Sequence, residues 1–504
     1  MSTQTADIAI VGAGSAGLEL ARMASIAGQK VVMVEQGAAN GRHIFQRIPL
    51  MVGKIIGNRR FVDASQSMTQ VAAGNRQLPV LTGRGLGGSS RVNGNVAYAG
   101  PSERYDHVFG PLGLDFSDIL KTMNTDIVAP RPHSWSDALS DKFLNAAQML
   151  GTPRVDDLDA QNAFGCGSVL HVNTKRGLRH NHLENYRDSA VAQNIQIIRA
   201  QVSGITFEGT RATGVTYQSG GASHHIAAGE VILCGGAIGS PLTLFRSGVG
   251  AADMLAEAGL PTRHNLPQVG QHLKDHANLR LPFSCTGHDT LNQKTRGLSA
   301  LWEGIKFIAG SKDTILRGPG ASAGVNVAMA GNVIDDCYRI QLVHFTQDRS
   351  RVSQSGIVFE QQQKASLGIY ALWPKSEGAV RIGPDGVQID TGFLSNKADV
   401  QTTLAGMKHA CAIMAEMGFQ PDRQTGSDEE VMRGGVYSGY HLIGSNRMSL
   451  DADRGVVGPE FAMHGLSGLS VCDASVLPDH VSSHSYLSVI AMARMFAQTR
   501  GWSL

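Results

Sequence analysis

Cysteine is scarce in this chain, and its six residues are scattered. Cys166, Cys234, Cys285, Cys337, Cys411 and Cys472 form no CxxC pair, which argues against a disulfide framework and a zinc site; no metal is expected. Reduced, buried thiols suit an intracellular protein. No apolar stretch reaches the ~20 residues that cross a bilayer, so no membrane span is expected. Acidic and basic residues nearly cancel, at a formal net charge of +2, and no basic run stands out. Nucleic acid and anionic membrane surfaces are therefore not expected as main partners. The N-terminus passes from MSTQTAD into an apolar strand with no basic leader and no cleavage site, so a cytoplasmic enzyme is the expectation. Internal repeats and disordered linkers are missing as well.

Glycine is plentiful instead: 60 of 504 residues, about 12% where roughly 7% is usual. It gathers in short clusters such as GAGSAG and GRGLGGSS, which suits backbone passing close to a ligand. At this length, with 42% hydrophobic residues, two or more domains are expected.

Ile8 to Val11 is a short apolar strand that runs into GAGSAG. LELARMASIAG then has helical spacing, and VVMV forms a second strand that ends at Glu35. This is the whole β-α-β unit that a dinucleotide fingerprint requires. Gly12 permits the tight turn, Gly14 lets backbone approach a pyrophosphate, and Gly17 lets helix and strand pack closely. Ser15 and Ala16 open the helix, whose free N–H groups and positive dipole end face the phosphates. Glu35 can accept both ribose hydroxyls of an adenosine and repels a 2′-phosphate. The unit by itself leaves NAD and FAD open.

Gly83 to Asp106 reads GRGLGGSSRVNGNVAYAGPSERYD, and Gly236 to Gly250 reads GAIGSPLTLFRSGVG. Beyond them come LPQVGQHLKDH (266–276), SEGAVRI (376–382) and LSVCDASVLP (469–478). Together, in this order, these stretches resemble the glucose–methanol–choline oxidoreductase family of FAD enzymes. Thr243 stands where the family usually has an aliphatic residue, and Gln268 replaces a glycine. The resemblance implies FAD as cofactor. It implies that Gly87, Gly88 and Ser89 approach the diphosphate and flavin, that Asn93 and Gly94 lie against the isoalloxazine, and that Val202 holds the adenine through its backbone. Asp473 and Ala474 would close on the ribityl and pyrophosphate, with Ser485 beside them. Some members attach flavin through a histidine just before the signature asparagine. Val92 occupies that position here, so FAD is expected to be bound non-covalently.

The resemblance also gives meaning to two histidines. His441 precedes the Gly-x-x-Arg-Met core in HLIGSNRM, and His484 falls in SSHSY at the position of its partner. Both are expected at the flavin edge. A neutral imidazole can take a hydroxyl proton while the carbinol hydride leaves. His441 is assigned as base and His484 as orienter, an order that coupled titration could reverse. His480 lies too close to Asp473 to be the partner, and His344 reads as a core residue. Tyr437, Tyr440 and Tyr486 flank the site. After the Arg-Met core the chain has Val456, Val457 and Gly458 where many members have Val-Val-Asp.

The expected fold class is α/β: a Rossmann-like, mostly parallel FAD-binding domain and an α+β substrate domain with an antiparallel sheet. FAD-binding segments are expected at 1–106, 165–282 and 431–504, with substrate segments at 107–164 and 283–430. In the middle region, LSALWEGIKFIA (298–309) reads as an amphipathic helix with Leu298, Leu301, Trp302, Ile305 and Ile308 on one side. Strands follow in YRIQLVHF, SLGIYALW and AVRIGPDGVQID, and a long helix spans Val400 to Phe419. The implied activity is oxidation of an alcohol to a carbonyl, with oxygen or another acceptor. A polyol, a sugar or glycoside, and an aryl or primary alcohol all stay open as substrates. A flavin-containing lyase of the hydroxynitrile type and a light-driven fatty acid decarboxylase are the alternatives.

Overall fold

The computed structural model describes residues 3–37, 43–123, 130–135, 137–158, 164–180, 194–331, 333–348, 357–422 and 425–502. The unit around GAGSAG forms the centre of a seven-stranded sheet. Strand Thr3–Val11 pairs in parallel with Val31–Glu35 on one side and Ala222–Leu233 on the other. Ile195–Arg199 continues the parallel arrangement beyond Val31–Glu35, and Leu469–Val471 joins Ala222–Leu233. Arg211–Ser219 and Gln201–Glu208 run antiparallel at the other edge. Ile8 to Ile10 and all five residues of Val31–Glu35 are buried, because a parallel sheet covered on both faces leaves no wet side. Helix Ser15–Ile26 packs against the C-terminal helix Ser485–Thr499. Between them Glu19 and Arg494 form an ion pair at 3.1 Å, with both side chains buried.

The second layer is a six-stranded antiparallel sheet. Its order is Val436–Ser438, Ala277–Ser284, Lys364–Ala371, Cys337–Val343, Ala321–Ala328 and Cys166–Val169. The strands expected in YRIQLVHF and SLGIYALW are neighbours in it. Successive side chains alternate between its faces. Leu279, Val325, Ile340 and Ile369 share a core with Met407 and Ile413 of helix Lys397–Glu416. The alternate residues Asn326, Arg339 and Gln341 are buried as well, turned towards the first domain rather than water. The fold class is thus mixed α/β, a Rossmann-like domain joined to a domain built on an antiparallel sheet.

Two elements differ from the sequence reading. AVRIGPDGVQID does not join the six-stranded sheet: Ala379–Gly383 pairs with Gly386–Asp390 as a hairpin of its own, because the tight GPDG turn returns the chain on itself. The amphipathic helix forms at Gly297–Ile308, but its apolar stripe faces outward. Leu298 and Ile308 are 85% and 86% exposed. Its inward residue is Glu303, which accepts from the Ile315 backbone at 3.0 Å and from Lys306 at 3.0 Å.

Candidate active site

The two glycine clusters press against each other. Gly87 N–H donates to Ala13 O at 2.8 Å, and a Cβ at Gly88 would stand 3.0 Å from Gly14 Cα. Gly12 has φ +102°, and a side chain there would collide with Cys234 O at 2.5 Å. Glu35 accepts from Ala13 N at 2.9 Å, Gly37 N at 2.7 Å and Gly85 N at 3.1 Å. These bonds use about three of the four lone-pair sites of the carboxylate. Glu35 therefore clamps both glycine loops and keeps acceptor capacity for a ribose. Val202 is buried just beyond Arg199, which lies opposite Glu35 in the sheet.

Asp473 is buried and turned towards the second signature. Its carboxylate accepts from Gly236 N at 2.7 Å, Ser240 Oγ at 2.5 Å and Ser475 N at 2.8 Å. Burial pushes its pKa up. Ala474 continues that turn, and its carbonyl accepts from Gly444 N. Asn93 is fixed by Arg179, which bonds its side chain and, at 2.8 Å, its carbonyl. Gly94 is exposed with open space around it, and Ser89 Oγ accepts from Gly83 N at 2.9 Å. Val92 packs on the small apolar cluster of Val52, Ile55, Phe61 and Val62.

His441 and His484 come together. Their ring centroids are 4.8 Å apart and nearly perpendicular, and both keep part of their surface accessible. His484 is the N-cap of helix Ser485–Thr499, so Ser485 begins that helix. Behind His441 stands a third imidazole that the sequence reading left without a role. His276 Nδ1 lies 2.9 Å from His441 Nδ1, and His276 Nε2 lies 2.9 Å from Leu372 O. The Asp275 carboxylate accepts the backbone N–H groups of His276 and His441, each at 2.8 Å, and burial raises its pKa to about 6. Burial also lowers His276 to about 4. It holds His441 well below the ordinary imidazole value, helped by the charges of His276 and Arg339. His484 is lowered in the same way, by burial first and then by His441 and Arg339.

The remaining candidates sit at greater remove. His480 is buried and stacks on His276 at 4.0 Å. His344 is a core residue, bonded through Nε2 to Ser322 Oγ at 2.6 Å and Asp137 at 3.0 Å. Tyr437 lies under the Arg76 guanidinium, Tyr440 is 43% exposed, and Tyr486 meets Asn173 at 3.4 Å.

Sequence profiles described as GMC oxidoreductase match residues 6–278 and 374–493. The chain belongs to the GMC oxidoreductase family. It is an enzyme of the class that acts on CH–OH groups, and FAD is the cofactor the family implies. The chain is 28% identical over 517 residues to an oxygen-dependent choline dehydrogenase of Chromohalobacter salexigens, covering 94% of this chain and 90% of that one. It is 30% identical over 545 residues to one of Yersinia pseudotuberculosis, covering 97% and 93%. Among solved structures, pyridoxine 4-oxidase from Mesorbium loti superposes with a TM-score of 0.84 at 21% identity, over 99% of each chain.

The residues present fit FAD. Helix Ser15–Ile26 starts at Gly14 with no side chain capping its first turn, so its orphan N–H groups suit a diphosphate. A Cβ at Gly14 would meet nothing nearer than 4.0 Å, which leaves that backbone open to a ligand. Among the described residues no helix is long and apolar enough to cross a membrane. No group of three His, Cys, Asp or Glu side chains is placed among them to hold a metal ion.

Proposed function

We propose that this oxidoreductase converts an alcohol to a carbonyl, with His441 as the base and His484 as the group that holds the substrate oxygen. One observation carries the reading: two accessible imidazoles lie 4.8 Å apart, each with its inner nitrogen committed to a different partner. Leu372 O only accepts, so His276 Nε2 carries a proton and His276 Nδ1 is left as an acceptor. That nitrogen accepts a hydrogen bond from His441 Nδ1–H, which leaves His441 Nε2 with a free lone pair. On the other side, Arg339 donates to Ser483 Oγ at 2.7 Å. The Ser483 hydroxyl can then donate to His484 Nδ1, 3.0 Å away, which puts the His484 proton on Nε2. The pair thus presents one acceptor and one donor. The acceptor removes the hydroxyl proton; the donor steadies the oxygen so that the carbinol C–H is aimed.

Bound FAD supplies the acceptor for the carbinol hydride, at flavin N5. The residues that would hold it are Gly12, Gly14, Ser15, Ala16 and Glu35 on the first unit, with Val202 at the adenine end. Gly87, Gly88, Ser89, Asn93 and Gly94 come from the second glycine cluster, and Asp473, Ala474 and Ser485 from the C-terminal segment. Val92 offers no atom for a covalent link, so the cofactor is held non-covalently and is released by denaturation. Oxygen or another acceptor completes the cycle.

The decisive experiment is anaerobic mixing of the FAD-loaded enzyme with a panel of alcohols, followed by flavin absorbance. Bleaching is expected with at least one of them. His441→Ala is expected to retain FAD and to lose about 10²–10⁴-fold in the rate of bleaching. A flavin that stays oxidised while a cyanohydrin is cleaved would make the protein a lyase and overturn the reading.

A further inference from the structure

The polar face of the antiparallel sheet holds a cation without an anion. Arg339 is 0% exposed. Its Nη1 donates to Ser483 Oγ, and its guanidinium lies 4.7 Å from the centre of the Tyr98 ring. Its Nε and Nη2 have no hydrogen-bond partner, and among the described residues no carboxylate pairs with it. A buried guanidinium with neither counter-charge nor full hydrogen bonding is costly. The two free groups form one edge of the fork, the edge that takes a carboxylate through two parallel hydrogen bonds. A Cβ at Gly324 would stand 3.1 Å from Nη2 and 3.3 Å from Nε. The glycine on the neighbouring strand therefore keeps a side chain away from that edge.

The position matters as much as the charge. Ser483 Oγ bridges Arg339 Nη1 and His484 Nδ1, so the guanidinium is two hydrogen bonds from the imidazole proposed to hold the reacting oxygen. We infer that Arg339 binds a carboxylate of the substrate, and that the alcohol oxidised is a compact hydroxy acid. This deepens the alcohol-oxidising reading above and rests on it. An anion held at this edge would sit on the guanidinium whose Nη1, through Ser483, orients His484. The same cation repels an ammonium group, so choline itself is not expected as a substrate.

The test uses the FAD-loaded enzyme and matched alcohols: para-(hydroxymethyl)benzoate with its primary amide, and β-hydroxypropanoate with β-hydroxypropanamide. Calorimetry with para-toluate, which has no hydroxyl to oxidise, reads anion binding apart from turnover. In at least one pair the acid is expected to exceed its amide in kcat/KM by at least about 30-fold, the range seen when one partner of a buried charge pair is removed. Arg339→Gln is expected to collapse that ratio towards one, chiefly through the KM of the acid, and to abolish para-toluate binding. Arg339→Lys, with the charge but not the fork, should fall between. Gly324→Ala, which crowds the free edge, should raise the KM of the acid more than that of the amide, and it tests the idea even if Arg339 variants fail to fold.

Equal kcat/KM for acid and amide with no para-toluate binding would overturn the inference while leaving alcohol oxidation standing. So would a folded Arg339→Gln enzyme that keeps the ratio, or one whose defect is loss of FAD alone. Were no alcohol to bleach the flavin while para-toluate bound in an Arg339-dependent way, the function would fall and the anion site would stand.

Discussion

A histidine that acts as a base needs its proton kept on the far nitrogen, and here another histidine does that. The His276–His441 contact at 2.9 Å joins residues 165 positions apart, and it works only while His276 is neutral. Burial secures this by lowering His276 to about 4. Because His441 is also lowered, its free imidazole stays neutral into mildly acid solution. The expected kcat/KM profile is therefore flat from about pH 6.5 upward, with loss only on the acid side. His276→Phe deletes the acceptor and is expected to lower kcat about 10- to 100-fold, the usual cost of losing a partner that fixes a histidine tautomer. It also removes an imidazole whose charge, once acid protonates it, depresses His441, so the acid limb should move to higher pH. His276→Gln, which can still accept on one side and donate on the other, should restore most of the rate. A uniform loss in both variants with an unmoved pH profile would reduce His276 to packing. His441 and His484 were legible because each sits in a long motif. His276 was not, since a single histidine after Asp275 carries no mark of what it meets across the fold.

At the level of elements, periodicity reveals that a helix is two-sided but not which side faces the protein. Helix Gly297–Ile308 shows the difference: Leu301 and Trp302 are 62% and 59% exposed, while Glu303 is 2% exposed. The glutamate is retained inside because Ile315 N, Lys306 and Thr314 surround it with donors, and these hold its pKa down against the effect of burial. Leu301→Lys and Ile305→Lys are therefore expected to change stability by no more than ~0.5 kcal/mol, as surface substitutions do. Glu303→Leu should cost about 1–3 kcal/mol by leaving the Ile315 N–H buried and unpaired. Chemical denaturation of the three variants checks this, and a large loss from Leu301→Lys would show that the stripe is covered. The same ambiguity hid Arg339. In an alternating strand a charged residue reads as water-facing, yet every residue of Cys337–Val343 is buried because the polar face meets the other domain. The glycine loops were easier: backbone conformation and close approach demand glycine there, and the sequence displays it.

Across the whole molecule, the first sheet is assembled from chain segments far apart in sequence, with strands of the second sheet lying between them along the chain. Thr3–Val11 and Leu469–Val471 lie on either side of Ala222–Leu233, and the helices that follow those end segments touch through Glu19 and Arg494. Arg494 also donates to Thr122 O at 3.0 Å, so one guanidinium ties three distant parts of the chain around the nucleotide-binding unit. Arg494 has no water to return to when Glu19 is removed, whereas Glu19 would keep Arg22 at 3.0 Å if Arg494 were removed. Glu19→Ala is expected to destabilise the holoenzyme by about 3–5 kcal/mol, the cost of stranding a buried charge. Replacing both at once, Glu19→Leu with Arg494→Met, should cost far less, since well-packed apolar residues often substitute for a buried pair with little loss. Urea denaturation followed by tryptophan and flavin fluorescence separates unfolding from cofactor release. If the single variant were as stable as the double one, the ion pair would not be the clamp, and apolar packing of the two helices would hold the ends together unaided.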